Sequence, residues 1–208
     1  MKTATQSQQT ADSDVAERFS RDGYVFPVDV FSRDEAAAYR RALEELEQRA
    51  EGSKLGNKAQ LNYPHVIFRF ADAIVRDPRI LDVVEAILGP DILVWGATFF
   101  IKEPHTESYV SWHQDLTFWG LSDDAQVSMW LALSPATEAS GCMRMIPGSH
   151  KNGAFEHDAK PDGSNVLLQG QTVPGVDEAR AVMCPLESGE ASFHHGWVLH
   201  ASMPNQSD

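Results

Sequence analysis

The chain has 208 residues, of which 42% are hydrophobic and 23% charged, and this composition indicates one globular domain with a sizeable core. Its 17 basic and 30 acidic residues give a net charge of -13, which makes nucleic acids and anionic membrane surfaces poor partners. No apolar run is long enough to predict a membrane span. The two cysteines, Cys142 and Cys184, have neither the spacing of a metal clip nor the number for a disulfide framework. We therefore expect free thiols and a cytoplasmic location.

The N-terminal part of the chain is expected to be mostly helical. In chain order we predict a disordered tail over residues 1–12, a short helix at 14–19, a strand at 24–26, a helix at 32–50, a loop at 52–60 and a helix at 77–88. The two longer helices are predicted from their ends. Ser32 and Glu35 are spaced as a capping box, and Asp77 supplies an N-cap before Pro78.

After Gly89 the chain changes to short β-like runs separated by proline, glycine and polar clusters. These runs cover residues 92–101, 110–117, 126–133, 142–146, 166–168, 180–183 and 191–193. Helices followed by many short strands predict an α+β fold built on a sheet sandwich or barrel. We expect residues 13–208 to form this single domain.

The strongest chemical signal is the pair His113 and Asp115. Residues two apart on a strand face the same side, so both side chains can bind one metal ion. With the distant His200 they would make two histidines and one carboxylate, the ligand set of non-haem Fe(II) oxygenases. Trp112 and the aromatic run at 116–119 are expected to wall the pair. A His-x-Asp pair also arises by chance, so these residues alone leave a structural role open.

The surrounding segments resemble the phytanoyl-CoA dioxygenase family of Fe(II)/2-oxoglutarate oxygenases. The matching pieces, in the family's order, are Trp112-His113-Gln114-Asp115, Trp130 on the next strand, Gly141 through Pro147-Gly148-Ser149-His150, and His200-x-Ser202-x-x-Asn205. They lie between residues 92 and 208, and Arg21-Asp22-Gly23-Tyr24 resembles the family's opening.

This resemblance implies a double-stranded β-helix core, of the jelly-roll or cupin-like type, with flanking N-terminal helices. It implies Fe(II), 2-oxoglutarate and O2 as cofactors and cosubstrates, and His113, Asp115 and His200 as iron ligands. His194 and His195 are alternatives for the distal ligand, but neither is followed by the Ser-x-x-Asn pattern.

The resemblance also suggests residues for the cosubstrate. Trp130 and Ser202 match positions that line the 2-oxoglutarate pocket in relatives, and Lys102 is a further candidate. Trp119 matches an aromatic residue that faces cosubstrate or substrate in some members.

One feature departs from the family pattern. An arginine normally follows the distal histidine and forms a bidentate pair with the far carboxylate of 2-oxoglutarate. Here the sequence ends at Asp208 without it. The expectation is a C-terminally incomplete domain, and whether the 208-residue chain is itself active stays open.

The implied reaction is hydroxylation of an unactivated C–H bond in a small-molecule metabolite or natural-product intermediate, with succinate and CO2 as co-products. Related halogenases lack the carboxylate, so Asp115 favours hydroxylation. Two alternatives remain: a non-catalytic binding protein of the same fold, and a cupin-like metal isomerase, which would typically bring a third histidine near the first pair. The sequence identifies neither the substrate nor the oligomeric state.

Overall fold

The computed structural model describes residues 6–50, 63–159, 163–167 and 170–208. The helices are α1 (Gln6–Asp22), α2 (Arg33–Ala50), α3 (Pro64–Ile67), α4 (Arg69–Val75) and α5 (Pro78–Leu88). The strands are β1 (Tyr24–Asp29), β2 (Val110–His113), β3 (Ser128–Leu131), β4 (Met143–Met145), β5 (Asp158–Ala159), β6 (Gln171–Thr172), β7 (Val182–Cys184), β8 (Glu190–His194) and β9 (His200–Ser202). Helices followed by antiparallel strands confirm the predicted α+β class.

The two long helices with end signals form as predicted. At the start of α2 the Ser32 backbone N–H donates to Glu35 Oε2 at 2.8 Å, and the Glu35 N–H donates to Ser32 Oγ at 3.2 Å. At the start of α5 the Asp77 side chain accepts from the Arg79 N–H at 3.0 Å. Side-chain caps accept hydrogen bonds from backbone N–H groups that have no partner in the first helical turn. Both helix starts could therefore be predicted from the sequence.

Other elements differ from the predictions. Residues 6–12, expected in a disordered tail, belong to α1, and no glycine or proline interrupts that helix before Asp22. Residues 92–101, expected as a strand, pair with no strand of the described residues, although the Ala97 carbonyl accepts from the Tyr63 N–H at 2.9 Å. The apolar run predicted a strand, but a strand also needs a partner. The predicted loop at 52–60 and Leu168 lie outside the described residues.

The strands form two larger antiparallel sheets with interleaved chain order. One has the order β1-β8-β3 and the other β2-β9-β4-β7, while β5 and β6 pair separately. Tyr24 of β1 packs in one core cluster with Met145 of β4, Cys184 of β7 and Val198. The two sheets therefore pack against each other. Cys142 and Cys184 are buried and free.

Strand β8 separates the apolar cluster that it forms with the helices from the space between the two sheets. Phe193 is fully buried among Ile80, Val84 and other apolar residues of the helical layer. Because side chains alternate along a strand, Ser192 and His194 face the opposite side. The helical layer thus packs behind one wall of the candidate site. In the described part of the chain, no helix has both the length and the apolar character needed to cross a membrane.

Candidate metal centre

Two strands and a turn bring the three predicted ligands together. His113 at the end of β2 is the direct cross-strand partner of His200 on β9, and their ring centroids are 4.0 Å apart. Asp115 begins the 3-10 turn that follows β2. Its Oδ1 lies 3.4 Å from His113 Nε2 and 3.6 Å from His200 Nε2. One ligating atom from each residue lies within 4.8 Å of the others, a geometry suitable for one metal ion.

The histidines direct their Nε2 atoms towards this centre. His113 Nδ1 lies 2.9 Å from the Ser111 carbonyl oxygen, and His200 Nδ1 lies 3.0 Å from that of Val198. A carbonyl oxygen only accepts, so both rings donate from Nδ1, and Nε2 is the nitrogen left for a metal. Metal-bound histidines usually donate through the other ring nitrogen in this way. The residues present therefore fit a divalent metal.

The ionisation states of Asp115 and His200 also suit metal ligands. Burial alone would raise the pKa of Asp115, but the adjacent imidazoles of His200, His113 and His194 outweigh it and hold the pKa well below its usual value. Burial, assisted by the neighbouring His113, lowers the pKa of His200 well below its ordinary value. An ionised carboxylate and a neutral imidazole are the forms that bind a metal.

Two polar residues near Asp115, Ser128 and Gln126, were not predicted from the sequence as parts of the site. Ser128 Oγ donates to Asp115 Oδ2 at 2.7 Å, and Gln126 Nε2 donates to Ser128 Oγ at 3.0 Å. His194, considered as an alternative to His200, lies beside the triad with its Nε2 3.4 Å from Asp115 Oδ2. Ser128 precedes Trp130 by two residues on β3, so strand alternation was the signal that could have found it.

The structural role of Gln114 was also not predicted from the sequence. It is buried between the two ligands of the His-x-Asp pair, and its side-chain amide donates to the carbonyls of Gly153 at 2.9 Å and Trp197 at 2.7 Å. Its Oε1 accepts from the Phe155 N–H at 2.7 Å. Gln114 thus joins the end of β2 to the segments before β5 and before β9. No local sequence pattern relates Gln114 to these distant partners.

The expected aromatic wall is only partly present. Trp112 lies on the opposite face of β2 from His113, where its indole N–H donates to Glu178 Oε1 at 3.0 Å and Arg144 lies over its ring. Adjacent residues of a strand face opposite sides, and this makes the Trp112 prediction wrong. Phe118 is exposed, whereas Leu116 is buried.

Two of the predicted cosubstrate residues, Trp130 and Ser202, lie on strands of the two facing sheets. Trp130 shares a face of β3 with Ser128, and Ser202 shares a face of β9 with His200, so all four face the space between the sheets. Trp119 follows the Asp115 turn and stacks on Trp95, with ring centroids 4.7 Å apart.

Lys102 joins the strand ends near Ser202. Its Nζ donates to Ser202 Oγ at 3.0 Å, to the Gly141 carbonyl at 2.6 Å and to the Met203 carbonyl at 2.5 Å. These bonds use all three donors of the ammonium group. Gly141 has φ 72°, and a Cβ there would collide with the Met203 carbonyl and Lys102 Nζ, so this approach requires glycine.

The sequence matches the model of the phytanoyl-CoA dioxygenase (PhyH) family over residues 19–208. The chain belongs to the phytanoyl-CoA dioxygenase family. The resemblance stated from the sequence motifs is therefore confirmed.

Two relatives of this PhyH-family chain differ in how much they share with it. A probable alpha-ketoglutarate-dependent hypophosphite dioxygenase of Stutzerimonas stutzeri is 25% identical, over 89% of this chain and 70% of its own length. The mouse phytanoyl-CoA dioxygenase domain-containing protein 1 is 30% identical over 75% of this chain and 53% of its own length. The chain thus spans only about half of that mouse protein.

A solved structure is more similar still. The non-heme monooxygenase ThoJ in its apo form is 38% identical, with a TM-score of 0.82 over 94% of this chain and 73% of that one. Its nickel complex matches at 36% identity with a TM-score of 0.76. The alpha-ketoglutarate dependence in the name of the Stutzerimonas relative and the group of His113, Asp115 and His200 agree with 2-oxoglutarate and iron as the expected cofactors of the PhyH-family chain.

Proposed function

We propose that this chain is an Fe(II)/2-oxoglutarate-dependent oxygenase that hydroxylates a C–H bond of a small-molecule metabolite or natural-product intermediate. The observation that carries the proposal is the convergence of His113, Asp115 and His200, with one ligating atom of each residue within 4.8 Å of the others. The interleaved strand order supports a double-stranded β-helix as the scaffold. The free buried thiols fit a cytoplasmic location.

The three ligands leave coordination positions open. Bound Fe(II) would supply activation of O2 coupled to oxidative decarboxylation of 2-oxoglutarate to succinate and CO2, with the second oxygen atom inserted into the substrate C–H bond. The chain's own part is to hold the metal on one face and to orient the cosubstrate. We assign that orientation to Trp130 and Ser202, and to Lys102 through the positive charge of its ammonium group, and we place Trp119 at the substrate or cosubstrate.

One observation favours the metal isomerase as a second candidate. That alternative requires a third histidine near the first pair, and His194 supplies one in space although the sequence has no His-x-His cluster. The position of His194 weakens this candidate, because its Nε2 faces the carboxylate oxygen directed away from His113 and His200. Consumption of 2-oxoglutarate separates the two functions.

The proposed function is tested by incubating the chain with Fe(II), 2-oxoglutarate and O2 and measuring succinate. We expect succinate to form slowly even without substrate, and to be lost in His200→Ala, which removes a ligand. Lys151→Met, a change at an exposed residue on the turn after β4, should behave as wild type. A chain that binds Fe(II) through the triad but forms no succinate would support the isomerase or the binding protein instead.

The ammonium charge of Lys102 predicts a pH dependence of cosubstrate binding. Burial lowers the pKa of Lys102 to about 8. The positive charge is therefore present below this pH and lost above it, whereas the carboxylates of 2-oxoglutarate stay ionised throughout. We expect the affinity for 2-oxoglutarate, titrated anaerobically into the Co(II)-loaded chain, to fall as pH rises through about 8.

The matched variant is Lys102→Met, which should bind 2-oxoglutarate more weakly and without this fall. The exposed Lys151→Met should keep the wild-type profile. If Lys102→Met shows the same pH dependence as wild type, Lys102 serves only to join the strand ends.

A further inference from the structure

The two carboxylate oxygens of Asp115 have different neighbours. Oδ1 lies 3.4 Å from His113 Nε2 and 3.6 Å from His200 Nε2. Oδ2 accepts a hydrogen bond from Ser128 Oγ at 2.7 Å and lies 3.4 Å from His194 Nε2. One oxygen thus faces the nitrogens that would bind a metal, and the other faces polar groups of the opposite sheet.

Ser128 and His194 are placed to act together. They are direct partners in the pairing of β3 with β8, so their side chains lie next to each other on one face. His194 is only 3% exposed, and neither of its ring nitrogens makes a hydrogen bond. A buried polar group without a partner is costly. The 3.4 Å separation from Asp115 Oδ2 is only slightly longer than an ordinary N–H···O bond.

We propose that Ser128 and His194 are positioning residues that keep Oδ2 of Asp115 off the metal, so that the carboxylate binds through Oδ1 alone. This inference rests on the proposed metal-dependent function. A carboxylate bound through one oxygen takes one coordination position instead of two, which leaves room for cosubstrate and O2. Gln126 fixes the direction of the serine hydroxyl, because its Nε2 donates to Ser128 Oγ and the hydroxyl hydrogen is left for Asp115.

His194 acts here as a donor and not as a ligand. An imidazole that donates from Nε2 cannot bind a metal through the same atom. The group of residues whose ligating atoms lie within 4.8 Å of one another consists of His113, Asp115 and His200. His194 contacts the last of these ring to ring, with centroids 4.7 Å apart, and so also limits its movement.

The test uses Co(II) alone as the probe, without cosubstrate or oxygen. Ser128→Ala and His194→Phe remove the donors with little change in shape. Each should weaken Co(II) binding by about 10- to 100-fold, the usual effect of losing a partner of a metal ligand. Each should also change the visible absorption of bound Co(II), because the coordination of the carboxylate changes.

Conservative variants separate this role from a merely structural one. Ser128→Thr keeps the hydroxyl and His194→Gln keeps an N–H donor, so both should recover most of the affinity and the wild-type spectrum. Ser192→Ala is the matched control: Ser192 lies on the same face of β8, and its buried hydroxyl has no partner. It should bind Co(II) as wild type does.

Wild-type affinity and spectrum in Ser128→Ala and His194→Phe would overturn the proposal. Failure of His194→Gln to recover binding would overturn it for His194, because an N–H donor would then not be what the site needs. Failure of the proposed function gives a different result: wild-type chain that does not bind Co(II), or binds it equally after His200→Ala.

Discussion

Replacing Asp115 with alanine should weaken metal binding by more than about 100-fold, beyond the usual effect of changing a partner of a ligand. The substitution removes the one anionic ligand and leaves His113, His194 and His200 facing an uncharged space. Anaerobic titration with Fe(II) or Co(II) measures the loss directly, and succinate formation should disappear with it.

The control for this experiment is Asp124→Ala. Asp124 is an exposed aspartate on the segment between the Asp115 turn and β3, so its loss removes the same charge from the chain without touching the site. Equal metal affinity in wild type and Asp115→Ala would show that the carboxylate is not a ligand and would remove the basis of the proposed function.

Gln114→Leu should lower the free energy of unfolding by about 3 kcal/mol, because it removes a fully buried amide and leaves an N–H and two carbonyls of half-buried residues without their partners. The groups concerned belong to Phe155, Gly153 and Trp197. Urea denaturation followed by tryptophan fluorescence measures the change. Metal affinity should fall as well, since Gln114 fixes the backbone between two of the ligands.

Gln206→Leu is the comparison for Gln114→Leu, since Gln206 is exposed. It should change the free energy of unfolding by less than about 0.5 kcal/mol, as is usual for exposed positions. A comparably small effect of Gln114→Leu would mean that the segments before β5 and β9 hold their positions without this side chain.

The sequence predicted those parts of the molecule that depend on local rules. The capping box at Ser32 and the Asp77-Pro78 pair set helix starts through bonds within one turn. The proximity of His113 and Asp115 was predicted from the alternation of one strand, but β2 ends at His113 and Asp115 begins the turn that follows it, so the prediction holds for the pair and not for the strand. The assignment of His200 as the third metal ligand came from the family resemblance, because the number of residues between His200 and Asp115 does not show that they lie close together.

What the sequence did not predict depends on contacts between distant segments. The roles of Ser128 and His194 require knowing that β3 and β8 pair in that register. The partners of Gln114 lie on two loops that no local pattern relates to it. For residues 92–101 the sequence predicted too much. Their apolar character indicated a strand, but they pair with no strand among the described residues.

The pairing of His113 with His200 makes metal supply part of the protein's folding equilibrium. The two imidazoles meet only when β2 and β9 are paired in this register, and a shift by one residue would turn one of them to the other face. An unfolded chain therefore lacks the binding site. A metal present at about 100 times its dissociation constant would add about 2.7 kcal/mol to the stability of the folded state. In a cell short of iron, a larger fraction of this protein would accordingly be unfolded.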